Sequence, residues 1–76
     1  MVDAVIMVMT DAGQSEETVV AVRDLEHVRE AHVVAGEFDI IAEVTAEEVY
    51  DVLHTASSNI QGLGGVLDTK TYMAMG

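Results

Sequence analysis

The chain has no cysteine and no tryptophan, and only Arg23, Arg29 and Lys70 carry a fixed positive charge. Without cysteine there is neither a disulfide framework nor a thiolate metal site to staple a small fold. Phe38, Tyr50 and Tyr72 are the whole aromatic inventory, so the core must be assembled from Val, Ile, Leu, Ala and Met. The three cations stand against fourteen carboxylates, for a formal net charge of −11. Such a field repels nucleic acid and argues against direct binding to a phosphate backbone. No apolar run reaches the roughly 18 residues of a membrane span, and no basic-then-apolar leader opens the chain. The expectation is a cytoplasmic protein.

What is present is largely apolar: 50% of the 76 residues are hydrophobic. That length bounds one domain, 1–76, near the lower limit at which a single core is stable unaided. So much apolar surface on so small a chain points to self-association as the way burial is completed. The carboxylates are spread among regular apolar positions instead of gathered in a tail. That is the pattern of a folded, acid-covered surface of the kind halophiles use. At low ionic strength such charges repel over roughly 30 Å, in molar salt over about 3 Å. The melting temperature is therefore expected to rise from millimolar to molar potassium chloride; a flat or falling trend would remove the halophile reading.

Met1 to Thr10 is a β-rich run closed by the turn signal Asp11-Ala12-Gly13. Ser15 can cap a helix whose first turn holds Glu16 and Glu17, with Val19, Val20 and Val22 as its apolar side. Val28 to Ala35 reads as a second strand, Gly36-Glu37 as a tight turn, and Phe38 to Val44 as a third strand. Thr45 and Glu48 form a capping box for a second helix. Its face is Val49, Val52, Leu53, Ala56 and Ile60, and Gly62, Gly64 and Gly65 stop it. Val66 to Met75 is the last strand. The order β-α-β-β-α-β predicts an α+β, ferredoxin-like fold: a four-stranded antiparallel sheet with two helices on one face. Leu25-x-x-Val28 and Leu63-x-x-Val66 echo one another before the last strand of each half.

Two helices can cover only one face of such a sheet, and the other should be polar. The first strand is instead apolar on both sides, with Ala4, Ile6 and Val8 on one and Val5, Met7 and Met9 on the other. The third strand repeats this with Ile40, Ala42 and Val44 against Ile41. A second copy of the chain is the simplest cover.

No arrangement of residues points to an enzyme. His27, His32 and His54 are not spaced relative to one another as metal ligands. Ser57 and Ser58 lack a nucleophile elbow and a base partner. The run Gly62-Leu63-Gly64-Gly65 follows a helix, whereas a phosphate loop opens one. The absent basic patch and sparse aromatics exclude the RNA-binding version of this fold, which stacks bases on sheet aromatics. Neither a metal nor a cofactor is expected. Two polar features resist dismissal. Asp39 stands two residues into a strand that continues Ile40, Ile41 and Ala42, and Thr69 and Thr71 share one face of the last. Surface solvation and strand propensity are the plain alternatives. With Gln61 these groups offer hydroxyls, an amide and a carboxylate, an inventory suited to a small zwitterion.

The segments "VREAHVVAGEFDIIAEV" and "IQGLGGVLDTKTYMAM" resemble the ligand-binding (RAM) domain of the Lrp/AsnC transcription regulators. The features that carry the resemblance are Gly36, Phe38 and Asp39, then Leu63, Gly65 and Val66, then Thr69 and Thr71. It covers nearly the whole chain. It implies a βαββαβ domain that dimerises through its sheet, assembles into rings, commonly octamers, and binds an amino-acid effector between dimers. The positions it assigns to the effector site are Gly36, Phe38, Asp39, Asn59, Gln61 and Thr71, with Thr69 beside them. Most members begin with a helix-turn-helix, whereas this chain starts at the first strand. It is therefore similar to the stand-alone members, which act on DNA only through DNA-binding relatives, and its acidity fits a haloarchaeal one. The expected function is an amino-acid sensor and oligomerisation module in transcriptional or metabolic regulation. The alternative is an oligomerisation module without a functional pocket.

Overall fold

The first strand, β1 (Val2–Thr10), buries Ala4, Ile6, Val8 and Thr10 on one face. Its other face leaves Met7 and Met9 half-buried and Asp3 and Val5 exposed. The alternation fixes the layers. In the computed structural model, which describes residues 1–75, α1 (Ser15–Arg23), β2 (Val28–Val33) and β3 (Ile40–Ala46) follow. Next come α2 (Val49–His54), a π-helical turn over Thr55–Ile60, and β4 (Val66–Met73). The strands form one antiparallel sheet in the order β2-β3-β1-β4, the ferredoxin-like arrangement. Val19 and Val22 of α1 join Val52, Ala56 and Ile60 over Ile6, Val8, Ile40, Ala42 and Val44 in a single core. No helix among the described residues is long and apolar enough to cross a membrane.

Several local expectations are corrected. Thr45 does not cap a helix. It lies within β3, and its hydroxyl donates to Asp3 Oδ1 at 2.8 Å. Burying Ala46 beside Val44 carries the strand past the capping box, so α2 begins only at Val49, behind an extended Glu48. Ser15 is likewise the first residue of α1 and not its cap, which is Gln14. In the second helix Val52, Thr55, Ala56 and Ile60 are buried, while Val49 and Leu53 are about half exposed. A spacing of four overshoots a 3.6-residue α-turn, so Val52, Ala56 and Ile60 would drift around a regular helix. The wider π turn returns Ile60 to the core side.

The β2–β3 connection is broader than the tight turn expected, since β2 ends at Val33 and β3 starts at Ile40. One ladder bond survives inside it, from Val34 N–H to the Asp39 carbonyl at 2.8 Å. Gly36 has no positive φ there, and a Cβ would meet nothing within 4 Å, so the chain's own turn does not demand glycine at this position. The helix stop does. Gly65 adopts φ +90, and a Cβ on Gly62 would sit 2.6 Å from the Ser58 carbonyl oxygen.

The Leu-x-x-Val echo is structural. Val28 N–H donates to Leu25 O at 3.3 Å, and Val66 N–H to Leu63 O at 3.4 Å. The residue before each valine takes positive φ, 77° at His27 and 90° at Gly65. Because Val28 packs against the core and Ala31 is buried in it, an odd spacing, β2 needs the bulge that shifts its register between Val28 and Glu30.

The face away from the helices has no cover among the described residues. It carries Val5, Met7, Met9 and Ile41, bordered by Glu30, His32, Glu43, Asp68, Lys70 and Tyr72. Among the described residues no lysine or arginine forms an ion pair with a carboxylate. Arg23 spends its Nε–H on the Ala31 carbonyl at 2.9 Å instead.

Candidate functional site

The fold brings the β2–β3 connection, the end of β1, the start of α1, the end of the π turn and the start of β4 to one end of the sheet. Gly36, Phe38, Asp39, Asn59, Gln61 and Thr69 therefore share that end, and Thr71 lies two residues further along β4. Their side chains do not all converge.

Asp39 is half-buried and turned toward the end of β1. Its Oδ2 accepts the Thr10 backbone N–H at 2.7 Å and the Thr10 hydroxyl at 3.2 Å. Its own N–H donates to the Val8 carbonyl at 2.9 Å. The carboxylate thus satisfies the backbone donor of the strand's last residue, just where β1 and β4 shift register between Met9 and Thr10. Oδ1 accepts no hydrogen bond among the described residues. The position is neither simple solvated surface nor idle: one oxygen is fixed by the fold and the other is left over.

Phe38 is buried, and the Lys70 ammonium stands 6.0 Å from its ring centroid, within cation–π range. Gly36 is exposed beside it. Asn59 is half-buried in the π turn. Gln61 is exposed, and its backbone N–H reaches back to Ala56 O at 3.3 Å, leaving the side-chain amide outside the turn. Thr69 and Thr71 are half-buried on β4 opposite Val8 and Ile6, which puts them on the helix-covered face. In one chain, then, Asp39 and Phe38 form one group and Asn59, Gln61, Thr69 and Thr71 lie across β1 from them. Thr10 was missed from sequence. Its signal was a hydroxyl at the core-facing end of β1, where an unsatisfied strand donor needs an acceptor.

Four concavities among the described residues of the isolated chain are lined by other residues. One of about 460 Å³ lies at the opposite end of the sheet, between Met1, Asp3, Val49, Met73 and Met75. Another, of about 390 Å³, lies beside α1 between Glu16, Val20, Arg23 and His32.

Residues 3–76 match the family described as the Lrp/AsnC ligand binding domain. The chain is 32% identical over 60 residues to the leucine-responsive regulatory protein of Haemophilus influenzae, a match covering 79% of this chain and 36% of that protein. It thus spans little more than a third of the length of the curated relative it matches. A solved structure from Thermus thermophilus is similar with a TM-score of 0.93 at 25% identity, covering 99% of this chain and 94% of that one. A transcriptional regulator from Neisseria meningitidis, solved as an L-Met complex, has a TM-score of 0.84 at 19% identity, covering 99% and 50%. At that identity the likeness is one of fold.

Proposed function

This chain belongs to the Lrp/AsnC ligand-binding domain family, and from that premise we propose that it is a cytoplasmic amino-acid-sensing domain that assembles with copies of itself. The observation that carries the reading is the setting of Asp39. Two hydrogen bonds from Thr10 orient its carboxylate, and Oδ1 is left to accept from a ligand ammonium. Charge-assisted hydrogen bonds of this kind contribute on the order of 1.5–3 kcal/mol each. Donors for the ligand carboxylate come from Gln61 and Thr71, with Asn59 and Thr69 beside them, and Phe38 and Gly36 supply an apolar wall. Because these groups lie on two sides of β1 in one chain, the complete pocket is formed between copies. Dimers and larger rings supply that juxtaposition. Mixed assembly with DNA-binding relatives, or with an enzyme, passes the signal on. The L-Met bound by the Neisseria regulator supports an amino acid as the ligand class.

Thermal shift against the twenty amino acids in molar salt identifies the effector. Calorimetry with that amino acid then compares wild type with Asp39→Asn, whose amide oxygen can still accept from Thr10. Affinity is expected to fall about tenfold or more, the loss of one charge-assisted bond, while the melting temperature changes little. Asp39→Ala is expected to lose the same affinity and also about 1–3 kcal/mol of stability, because it strands the Thr10 N–H. Unchanged affinity in Asp39→Asn would leave Asp39 a strand-end fastener alone. A screen in which none of the twenty shifts the melting temperature would favour the oligomerisation module without a pocket, a reading in keeping with concavities that lie elsewhere on the isolated chain.

A further inference from the structure

On the uncovered face, Glu30 of β2 stands directly opposite Glu43 of β3. Like charges in that position repel across the strands. The β2 bulge creates this opposition. Counting from the Val28–Val44 pair, a regular ladder would set Arg29 opposite Glu43, an attractive pair, but the shift replaces Arg29 with Glu30. His32 lies on the same face two residues along, and its Nε2 is 3.2 Å from Glu30 Oε1. One ligand atom from each of Glu30, His32 and Glu43 lies within 4.8 Å of the others. No lysine or arginine pairs with either carboxylate among the described residues. Spacing along the sequence compares the histidines only with one another, whereas Glu43 arrives from the neighbouring strand.

From this juxtaposition we infer that Glu30, His32 and Glu43 form a binding site for a divalent transition-metal cation. Imidazole with two carboxylates is a nitrogen–oxygen donor set that suits zinc and its first-row neighbours, whereas magnesium and calcium prefer oxygen alone. Metal–ligand bonds of about 2.0–2.2 Å bring tetrahedral ligand atoms to roughly 3.4 Å of one another. All three side chains are exposed and free to close that gap by rotamer changes. The cation removes the Glu30–Glu43 repulsion that the fold otherwise leaves standing. Three protein ligands leave a coordination position open, for water or for a donor from whatever covers this face.

Zinc chloride alone is the probe, titrated calorimetrically into the intact protein. An acidic surface attracts divalent ions diffusely, so Glu47→Gln, which removes the same charge from an exposed connection, serves as the comparison. His32→Ala and Glu43→Gln are each expected to weaken zinc binding by at least about tenfold, the loss that even outer-sphere partners of metal ligands produce. Glu47→Gln should leave the affinity within about twofold, as an exposed charge remote from a site does. In NMR spectra the His32 ring signals should shift on addition of one equivalent of zinc, with those of His27 and His54 unmoved. Equal weakening by Glu43→Gln and Glu47→Gln, or a zinc response shared by all three histidines, would mean diffuse counter-ion attraction only and overturn the site.

Discussion

Replacing Met7 with glutamate is expected to leave a folded monomer of about 8 kDa under conditions in which the wild-type chain is expected to associate. Met7 is half-buried at the middle of the uncovered face, between Lys70 of β4 and Ile41 of β3. Within the chain the substitution is mild, because the new carboxylate lies opposite the Lys70 ammonium and removes nothing from the core beneath Ile6 and Val8. Between copies it is severe. A two-fold interface meets the change twice, and a charge buried there without a full set of partners costs about 3–5 kcal/mol. That corresponds to a dissociation constant raised by two to three orders of magnitude or more. Light scattering at micromolar concentration measures the mass, and circular dichroism checks the fold. A wild-type chain that is itself monodisperse at about 8 kDa would remove the sheet-to-sheet reading, as would a Met7→Glu variant of unchanged mass.

Gly62→Ala should produce a large loss of stability for a single added methyl group. The new Cβ would stand 2.6 Å from the Ser58 backbone oxygen, well inside van der Waals contact, and that oxygen belongs to the π turn holding Ile60 in the core. No side chain can rotate away to relieve the clash; backbone must move. Overpacking of this kind costs about 1–3 kcal/mol, against a total that for a domain of this size is on the order of 4–11 kcal/mol. At about 4–8 °C per kcal/mol for a domain of 60–100 residues, the melting temperature should fall by roughly 4–24 °C. Gly64→Ala, where a Cβ meets nothing within 4 Å and φ is not positive, is the matched comparison. It should be neutral or slightly stabilising, since alanine narrows the unfolded ensemble. Calorimetric melting of both variants decides the matter, and equal melting temperatures would contradict the close approach at Gly62.

The strands and their order along the chain were legible because burial with period two leaves a record that local chemistry rarely overrides. The apolar second face of β1 was equally legible, since Val5, Met7 and Met9 have no business in a solvated strand. The capping box at Thr45 misled for a physical reason: Ala46 belongs to the strand's buried face, and its burial outweighs a cap worth about 1 kcal/mol. The β2 bulge was not legible, because the odd spacing of Val28 and Ala31 explains it only once both are known to face the core. At the candidate site, sequence could nominate Asp39 but not its attachment to Thr10, which depends on β1 ending beside β3. Nor could it show that Asp39 and Thr71 stand on two sides of β1, because which groups meet there is decided by the fold and, on the reading proposed, by assembly.

The pairing of β1 has a consequence for how the chain comes to be folded. This strand lies inside the sheet, yet neither of its neighbours is close in sequence: Ala4 pairs with Val44 on one side and Met73 on the other. Its second ladder cannot form until β4 has been made, well after β3, and Ala74 N–H still adds a bond to Asp3 O beyond the strand's end. In a chain emerging from the ribosome, this β-prone, methionine- and valine-rich segment therefore precedes both of the strands that pair with it. Contacts of such wide separation slow folding, because the entropy of closing the loop is lost before the contact is gained. Of the fourteen carboxylates, all but Asp3 and Asp68 lie on the chain between β1 and β4, where like charge opposes the association of unfolded copies.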